Sequence, residues 1–335
     1  MAAVAQPVRW GIVGLGWAAT DFVAPVIVKS PRSELVACLG STPAKTKAFA
    51  ERIGVPRSHS DLAALMADPG VDAVYIALPN ALHHRAVLAG AKHTKNMLCE
   101  KPFAMQYAHA REMAAACRSA GVVLRIAHQI RLDEAVMRAR AIVQSGDLGK
   151  IVSMSLERTS AMPPRKTWRL DVPQSGVMYD VGVHLIDLVQ WVSGKKLVEV
   201  AAITTPDRRE GQSDDTFILQ GRLAGGGHAQ VRATRQVPKG ENNLIVEGTN
   251  GMVITSALRW VDEHTVTVRD AAGERVERVP ASPAYERQVA AFEAELAGNT
   301  SLLPDGDDAA YTVAVTNAAL KSIDERRIVR VDEIV

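Results

Sequence analysis

A chain of 335 residues, 47% hydrophobic and 23% charged, is too long for one ordinary core and apolar enough to fill two. Its formal net charge of +2 gathers neither nucleic acid nor anionic lipid without specificity, which points to a small partner. Cys38, Cys99 and Cys117 are an odd number in or beside apolar runs, and suit reduced thiols in a cytoplasmic protein better than a disulfide or zinc framework.

No run approaches the roughly 18 apolar residues of a membrane span, and no long apolar segment precedes the first expected strand. The expectation is therefore a cytoplasmic protein with no membrane partner and no metal site.

The first expected strand, 10–13, runs directly into Gly14-Leu15-Gly16-Trp17-Ala18-Ala19. Gly14 permits the tight turn, Gly16 lets backbone N–H groups approach a pyrophosphate, and Ala19 is small enough for close helix–strand packing. Further strands are expected at 35–39, 73–77, 97–99 and 122–127, alternating with helices at 44–53, 62–67, 83–91 and 107–120. That alternation implies parallel strands with helical crossovers.

After a helix at 134–145, closed by Gly146, the pattern changes. Met154 and Leu156 alternate with Ser153 and Ser155, and Ala229, Val231 and Ala233 alternate with polar neighbours. Strand-like runs follow at 200–204, 217–223, 244–247, 252–255, 265–269 and 274–279, several joined by Gly/Asn turns, and helices close the chain at 284–297 and 308–323. The fold class expected is an α/β N-terminal domain with a mostly parallel sheet, residues 1–127, followed by an α+β domain, residues 128–335, with a large open, largely antiparallel sheet. A sheet covered on one face exposes the other, so a homodimer or homotetramer through the C-terminal sheet is expected.

Two clusters carry chemistry. Glu100-Lys101-Pro102 leaves the expected strand 97–99 and places a Lys at the carboxyl end of the sheet, where doubly wound folds bind ligands, with Pro102 holding it extended. Downstream, Asp180, His184, Asp187 and Trp191 recur at spacings of four, three and four on one helical stripe. An imidazole there can take a proton near neutral pH, and Asp180 can hold the substrate or stabilise the imidazolium. A purely structural His, partnered by Asp187, is the competing reading.

Taken together, the glycine turn, Ala77-Leu78-Pro79-Asn80-Ala81-Leu82-His83, Glu100-Lys101-Pro102, His128-Gln129-Ile130-Arg131 and Asp180-Val181-Gly182-Val183-His184 resemble the Gfo/Idh/MocA family, typified by glucose–fructose oxidoreductase and inositol dehydrogenase. The likeness covers nearly the whole chain. Within the family, residues 163–170 and the hydroxyl-bearing turn after the second strand are similar to the anhydrofructose reductases.

The resemblance implies a Rossmann domain binding a nicotinamide dinucleotide, and hydride transfer to or from a secondary alcohol or ketone of a sugar or cyclitol. It puts Lys101, Asp180 and His184 at catalytic positions that also touch substrate. Gly14, Gly16, Trp17, Ala18, Ala19, Pro79, Asn80, His83, Glu100, Lys101 and Gln129 are the expected cofactor contacts. Arg131, Trp168 and Arg169 are the expected further substrate contacts.

Residues 37–45 carry no acid to bind a ribose hydroxyl pair, whereas Ser41, Thr42 and Lys45 suit a 2′-phosphate. NADP(H) is favoured, with NAD(H) the alternative. Two other functions share these features: a redox-neutral glycosidase that keeps its dinucleotide, and a non-catalytic cofactor sensor.

Overall fold

The computed structural model describes residues 6–161, 175–238, 240, 242–258 and 261–335. It divides into two units, one formed by residues up to Gln129 together with Pro283–Ala310, the other by Ile130–Ser282 with Tyr311–Val335.

In the first unit, strands β1 (Val8–Val13), β2 (Ser33–Leu39), β3 (Arg57–Ser58), β4 (Ala73–Ile76), β5 (Asn96–Cys99) and β6 (Leu124–Ile126) form one sheet in the order β3-β2-β1-β4-β5-β6. Every pairing is parallel. The order reverses between β1 and β4, so their carboxyl ends open the crevice that such sheets use for ligands. Strand interiors such as Ile12, Val74, Tyr75 and Leu98 are fully buried, as a sheet covered on both faces requires.

Crossover helices follow: α1 (Ala24–Lys29), and α2 (Pro43–Ile53), α3 (Leu62–Ala67), α4 (His83–Lys92) and α5 (Tyr107–Ser119), the last four close to their expected spans. Asp61 caps α3 by accepting from the Ala64 amide at 2.9 Å. The two-residue β3 is too short and polar to leave a sequence pattern.

The expected boundary at 127/128 needs one correction. Helix α8 (Ala284–Leu296) belongs to the first unit: Phe292 packs on Trp10 with ring centroids 5.2 Å apart, and Arg125 Nε donates to Glu295 at 2.6 Å. Glu293 also accepts hydrogen bonds from Ser30 and Ser33. A helix this far along the chain completes the core under β1 through burial and paired charges, neither of which a linear boundary captures.

The second unit contains helices α6 (Glu134–Ser145) and α7 (Val183–Ser193) and strands β7 (Ile151–Thr159), β8 (Leu197–Thr205), β9 (Thr216–Leu223), β10 (His228–Thr234), β11 (Leu244–Gly248), β12 (Gly251–Thr255), β13 (Glu263–Asp270), β14 (Gly273–Pro280) and β15 (Val329–Arg330), with the part of α9 (Gly306–Glu325) from Tyr311 onward ahead of β15. The nine strands form one sheet in the order β14-β13-β12-β11-β7-β10-β9-β8-β15. It is mostly antiparallel; β7 and β10 pair in parallel.

Met154, Leu156, Val231, Phe217 and Leu219 are buried on the covered face. The opposite face carries the Arg232–Glu157 and Arg222–Glu199 ion pairs, each at 2.8 Å, beside Ile203, which is 65% exposed. Among the described residues no helix is long and apolar enough to cross a membrane. The three cysteines are free and buried; burial pushes Cys38 up to about 11 and Cys117 up to about 12.

Candidate active site

The turns leaving β1, β2, β4 and β5 are tied together at the carboxyl edge of the parallel sheet. The Gly14 amide donates to the Leu39 carbonyl at 2.8 Å, and Ala77 donates to Val13 at 2.8 Å. Gly14 has φ +92°, and a Cβ there would run into the Ala77 carbonyl, so glycine is required twice over. Gly16 is exposed with open space around it. The segment Ala18–Val23 that follows is a π-helical turn, not an α-helix, and Ala19 is fully buried against the sheet.

Trp17 stands edge-on to Phe22, with centroids 4.5 Å apart, and Phe22 stacks on Tyr285 of α8 at 4.6 Å. The bulky residue beside the glycine turn thus belongs to an aromatic stack. Gln129 Nε2 donates to the Tyr285 hydroxyl at 3.5 Å, and its buried Oε1 has no protein partner among the described residues.

Beyond β2, Ser41, Thr42 and Lys45 are exposed at the start of α2. Thr42 caps that helix by accepting from the Lys45 amide at 3.3 Å, a bond that leaves its own hydroxyl proton unused. Gly40 packs against Leu15 and Thr46, which donates its hydroxyl to the Thr42 carbonyl at 2.9 Å. An open glycine turn, an orphaned buried amide oxygen and an acid-free loop with a Lys at a helix start together fit a dinucleotide.

Pro79 is exposed and Asn80 begins a short 3₁₀ turn beyond β4. His83 departs from expectation as a cofactor contact. Its ring is fully buried, with Nδ1 2.9 Å from the Pro102 carbonyl oxygen and Nε2 3.0 Å from that of Leu78. Both edges are already taken by backbone, so this ring holds loops.

Glu100 is clamped where β5 ends. The Tyr75 hydroxyl donates to Oε1 at 2.5 Å, and the Lys101 amide donates to Oε2 at 3.1 Å. Burial, then the Glu100 charge, hold the Tyr75 phenol well above its ordinary range, so it stays a donor. Lys101 is half-buried. Tyr75 and Tyr285 are the residues sequence reasoning missed: one sits in an all-apolar strand that reads as core, and the other arrives from the far end of the chain.

In the second unit, Asp180 lies in a π-helical turn, Met178–Gly182, that leads into α7 and His184. The turn is fastened by Asp214, whose carboxylate accepts from the Met178 amide at 2.8 Å and from Arg208. A Cβ at Gly182 would stand 2.8 Å from the Phe217 ring, so the middle glycine of Asp-x-Gly-x-His lets the helix settle onto β9. The expected unbroken α-helical stripe is corrected here. The wider π turn carries Asp180, and the regular stripe holds from His184 through Asp187 to Trp191.

His184 is buried. Asp187 forms a bidentate pair with Arg131, Nε and Nη2 donating at 2.7 and 2.6 Å, with the side chains 5% and 1% exposed. The Arg131 guanidinium also lies 5.6 Å from the Trp191 ring centroid. Arg131 is thereby a buried, charge-paired cation. Trp168 and Arg169 lie outside the described residues.

Residues 8–128 match the family described as an oxidoreductase family with an NAD-binding Rossmann fold, and residues 136–254 match the Gfo/Idh/MocA C-terminal domain. The chain is 31% identical to the 1,5-anhydro-D-fructose reductase of Ensifer adhaerens, over 94% of this chain and 96% of that protein. It is 26% identical to the myo-inositol 2-dehydrogenase of Thermotoga maritima, over 98% and 99%. Among solved structures, an aldose-aldose oxidoreductase from Caulobacter crescentus complexed with glycerol superposes with a TM-score of 0.85 at 26% identity, covering 97% of this chain and all of that one.

Proposed function

Because the chain belongs to the Gfo/Idh/MocA family of oxidoreductases, we propose that it transfers hydride between NADP(H) and a secondary alcohol or ketone of a sugar, anhydrosugar or cyclitol. The observation that carries this reading is the clamped Glu100-Lys101 turn at the carboxyl edge of a parallel sheet, next to an open glycine turn.

In this reading Gly14, Gly16 and Ala18–Ala19 hold the pyrophosphate, Pro79, Asn80, Glu100 and Gln129 flank the nicotinamide half, and Ser41, Thr42 and Lys45 hold the 2′-phosphate. The bound nicotinamide supplies or accepts the hydride. Lys101 and protonated His184 donate hydrogen bonds to the substrate oxygen as negative charge develops on it, and one of them delivers the proton; oxidation reverses both roles. Asp180 orients the substrate hydroxyl and stabilises the imidazolium.

A spectrophotometric panel at 340 nm tests the reading, with NADPH and NADH each offered ketoses, osones, anhydroketoses including 1,5-anhydro-D-fructose, and cyclitol ketones. Turnover with at least one of them is expected; cofactor binding with no turnover on any of them would leave a sensor instead.

Lys45→Ala tests the coenzyme assignment. Losing one charge-assisted contact to a 2′-phosphate raises the NADPH Kd by about tenfold or more and leaves the NADH Kd unchanged. Fluorescence titration reads both, and equal changes for the two coenzymes would remove Lys45 from the phosphate site.

The uncovered sheet face suits a homodimer or homotetramer. Ile203, set in a field of paired charges, belongs to the region a second copy would cover. Sedimentation velocity is expected to give an oligomer for the parent and smaller particles for Ile203→Glu; a monomeric parent would refute the assembly.

A further inference from the structure

The two turns that carry Pro79-Asn80 and Glu100-Lys101 have a common buried link. Leu78 precedes the first turn, Pro102 closes the second, and the His83 ring spans their carbonyl oxygens at 3.0 and 2.9 Å. On its other side, the Lys101 amide donates a hydrogen bond to Glu100 Oε2 at 3.1 Å. Glu100 is fixed in turn by Tyr75 and by its own amide, which donates to the Ile76 carbonyl at 2.8 Å. The lysine is thus anchored at its own amide and, one residue on, at the Pro102 carbonyl.

We propose that His83 is a positioning residue: a buried latch that joins the β4 turn to the β5 turn through Leu78 and Pro102 and so sets the origin from which the Lys101 side chain reaches its substrate. It does this without touching the cofactor. Burial pulls the imidazole below its ordinary pKa, and a neutral ring has one N–H to donate, so one carbonyl receives the hydrogen bond and the other edge is held by contact, as the tautomer decides. The kinetic meaning of the latch rests on the proposed role of Lys101; its structural meaning does not.

Three substitutions separate the two ends of the ring. His83→Asn keeps a donor where Nδ1 stands, toward Pro102; His83→Gln keeps one where Nε2 stands, toward Leu78; His83→Phe keeps neither. Hydrogen exchange on the ligand-free protein, read by mass spectrometry over residues 100–104, needs no substrate. His83→Phe is expected to speed exchange there by about tenfold, the worth of one buried hydrogen bond, with His83→Asn near the parent and His83→Gln near His83→Phe.

With NADPH and the best substrate of the panel, kcat falls about tenfold in His83→Phe and recovers in His83→Asn, while the NADPH Kd stays within about twofold. Unchanged exchange in His83→Phe, equal exchange in the Asn and Gln variants, or an NADPH Kd that rises in step with the loss of kcat would each overturn the latch. Should His83→Phe fail to fold, the Asn and Gln pair decides alone. Full turnover by Lys101→Ala would instead sink the lysine's role and leave the exchange result standing.

Discussion

Replacing Lys101 by alanine is expected to lower kcat by about a thousandfold while the protein still binds NADPH, because one donor aimed at a developing oxyanion is worth roughly that much. In the proposed reading the ammonium serves the reacting oxygen, whereas the dinucleotide is held by the glycine turn, the α2 loop and the backbone. His184→Ala is expected to cost about a hundredfold to ten-thousandfold, the usual worth of a general acid or base. In the proposed reading the two donors act on one oxygen and so work as a unit, and the double variant is expected to fall little further than the worse single one. Stopped-flow absorbance at 340 nm, with fluorescence titration of NADPH in parallel, reads all three. Strictly additive losses would mean that the two residues serve different steps, and undiminished rates would take both out of the chemistry.

The second large effect is on stability. Arg131→Ala leaves the Asp187 carboxylate, 1% exposed, without its bidentate partner in the second unit. Breaking a buried pair from one side typically costs about 3–5 kcal/mol, and the expected result is a loss of that size in urea unfolding. Removing both charges together, as Arg131→Met with Asp187→Leu, recovers most of it, since the penalty comes from the stranded charge more than from the lost attraction. A variant that unfolds like the parent but shows a raised KM would return Arg131 to the substrate site.

That test concerns a residue whose ion-pair partner motif reading does not supply. Arg131 follows Gln129 in a stretch that looks like a junction, and nothing local says that its partner is Asp187, well over a helix's length away in sequence. Asp187 in turn shares a stripe with His184, which made a structural pairing with the imidazole the competing reading. Such choices are made by three-dimensional burial: an unpaired guanidinium cannot stay inside, so the fold supplies a carboxylate.

His83 is a similar case: its motif neighbourhood suggests a ligand contact, while its 3₁₀–α junction turns the ring inward onto two carbonyls. What did read well from sequence is periodic or capped. Asp61 starts α3, Gly146 ends α6 in the left-handed region, and the alternation through Met154 and Leu156 marks a half-covered sheet. The glycine turn was legible because only glycine tolerates both φ +92° and the Ala77 carbonyl at its back.

The π turns at Ala18–Val23 and Met178–Gly182 left no signal, since one extra residue per turn hardly disturbs an apolar pattern. Tyr75 was invisible for a different reason: a tyrosine within Ala-Val-Tyr-Ile reads as core, and its ring is core, while its hydroxyl alone reaches Glu100.

The central claim is that this chain moves hydride to a carbonyl carbon with Lys101 and His184 attending the oxygen. A single turnover with NADPH deuterated at the transferring position of C4, offered the panel of ketoses, anhydroketoses and cyclitol ketones, tests it most directly. The account predicts that mass spectrometry finds deuterium on a carbinol carbon of at least one product, and that the label vanishes with Lys101→Ala although NADPH remains bound; label in no product, or undiminished label in that variant, would contradict it.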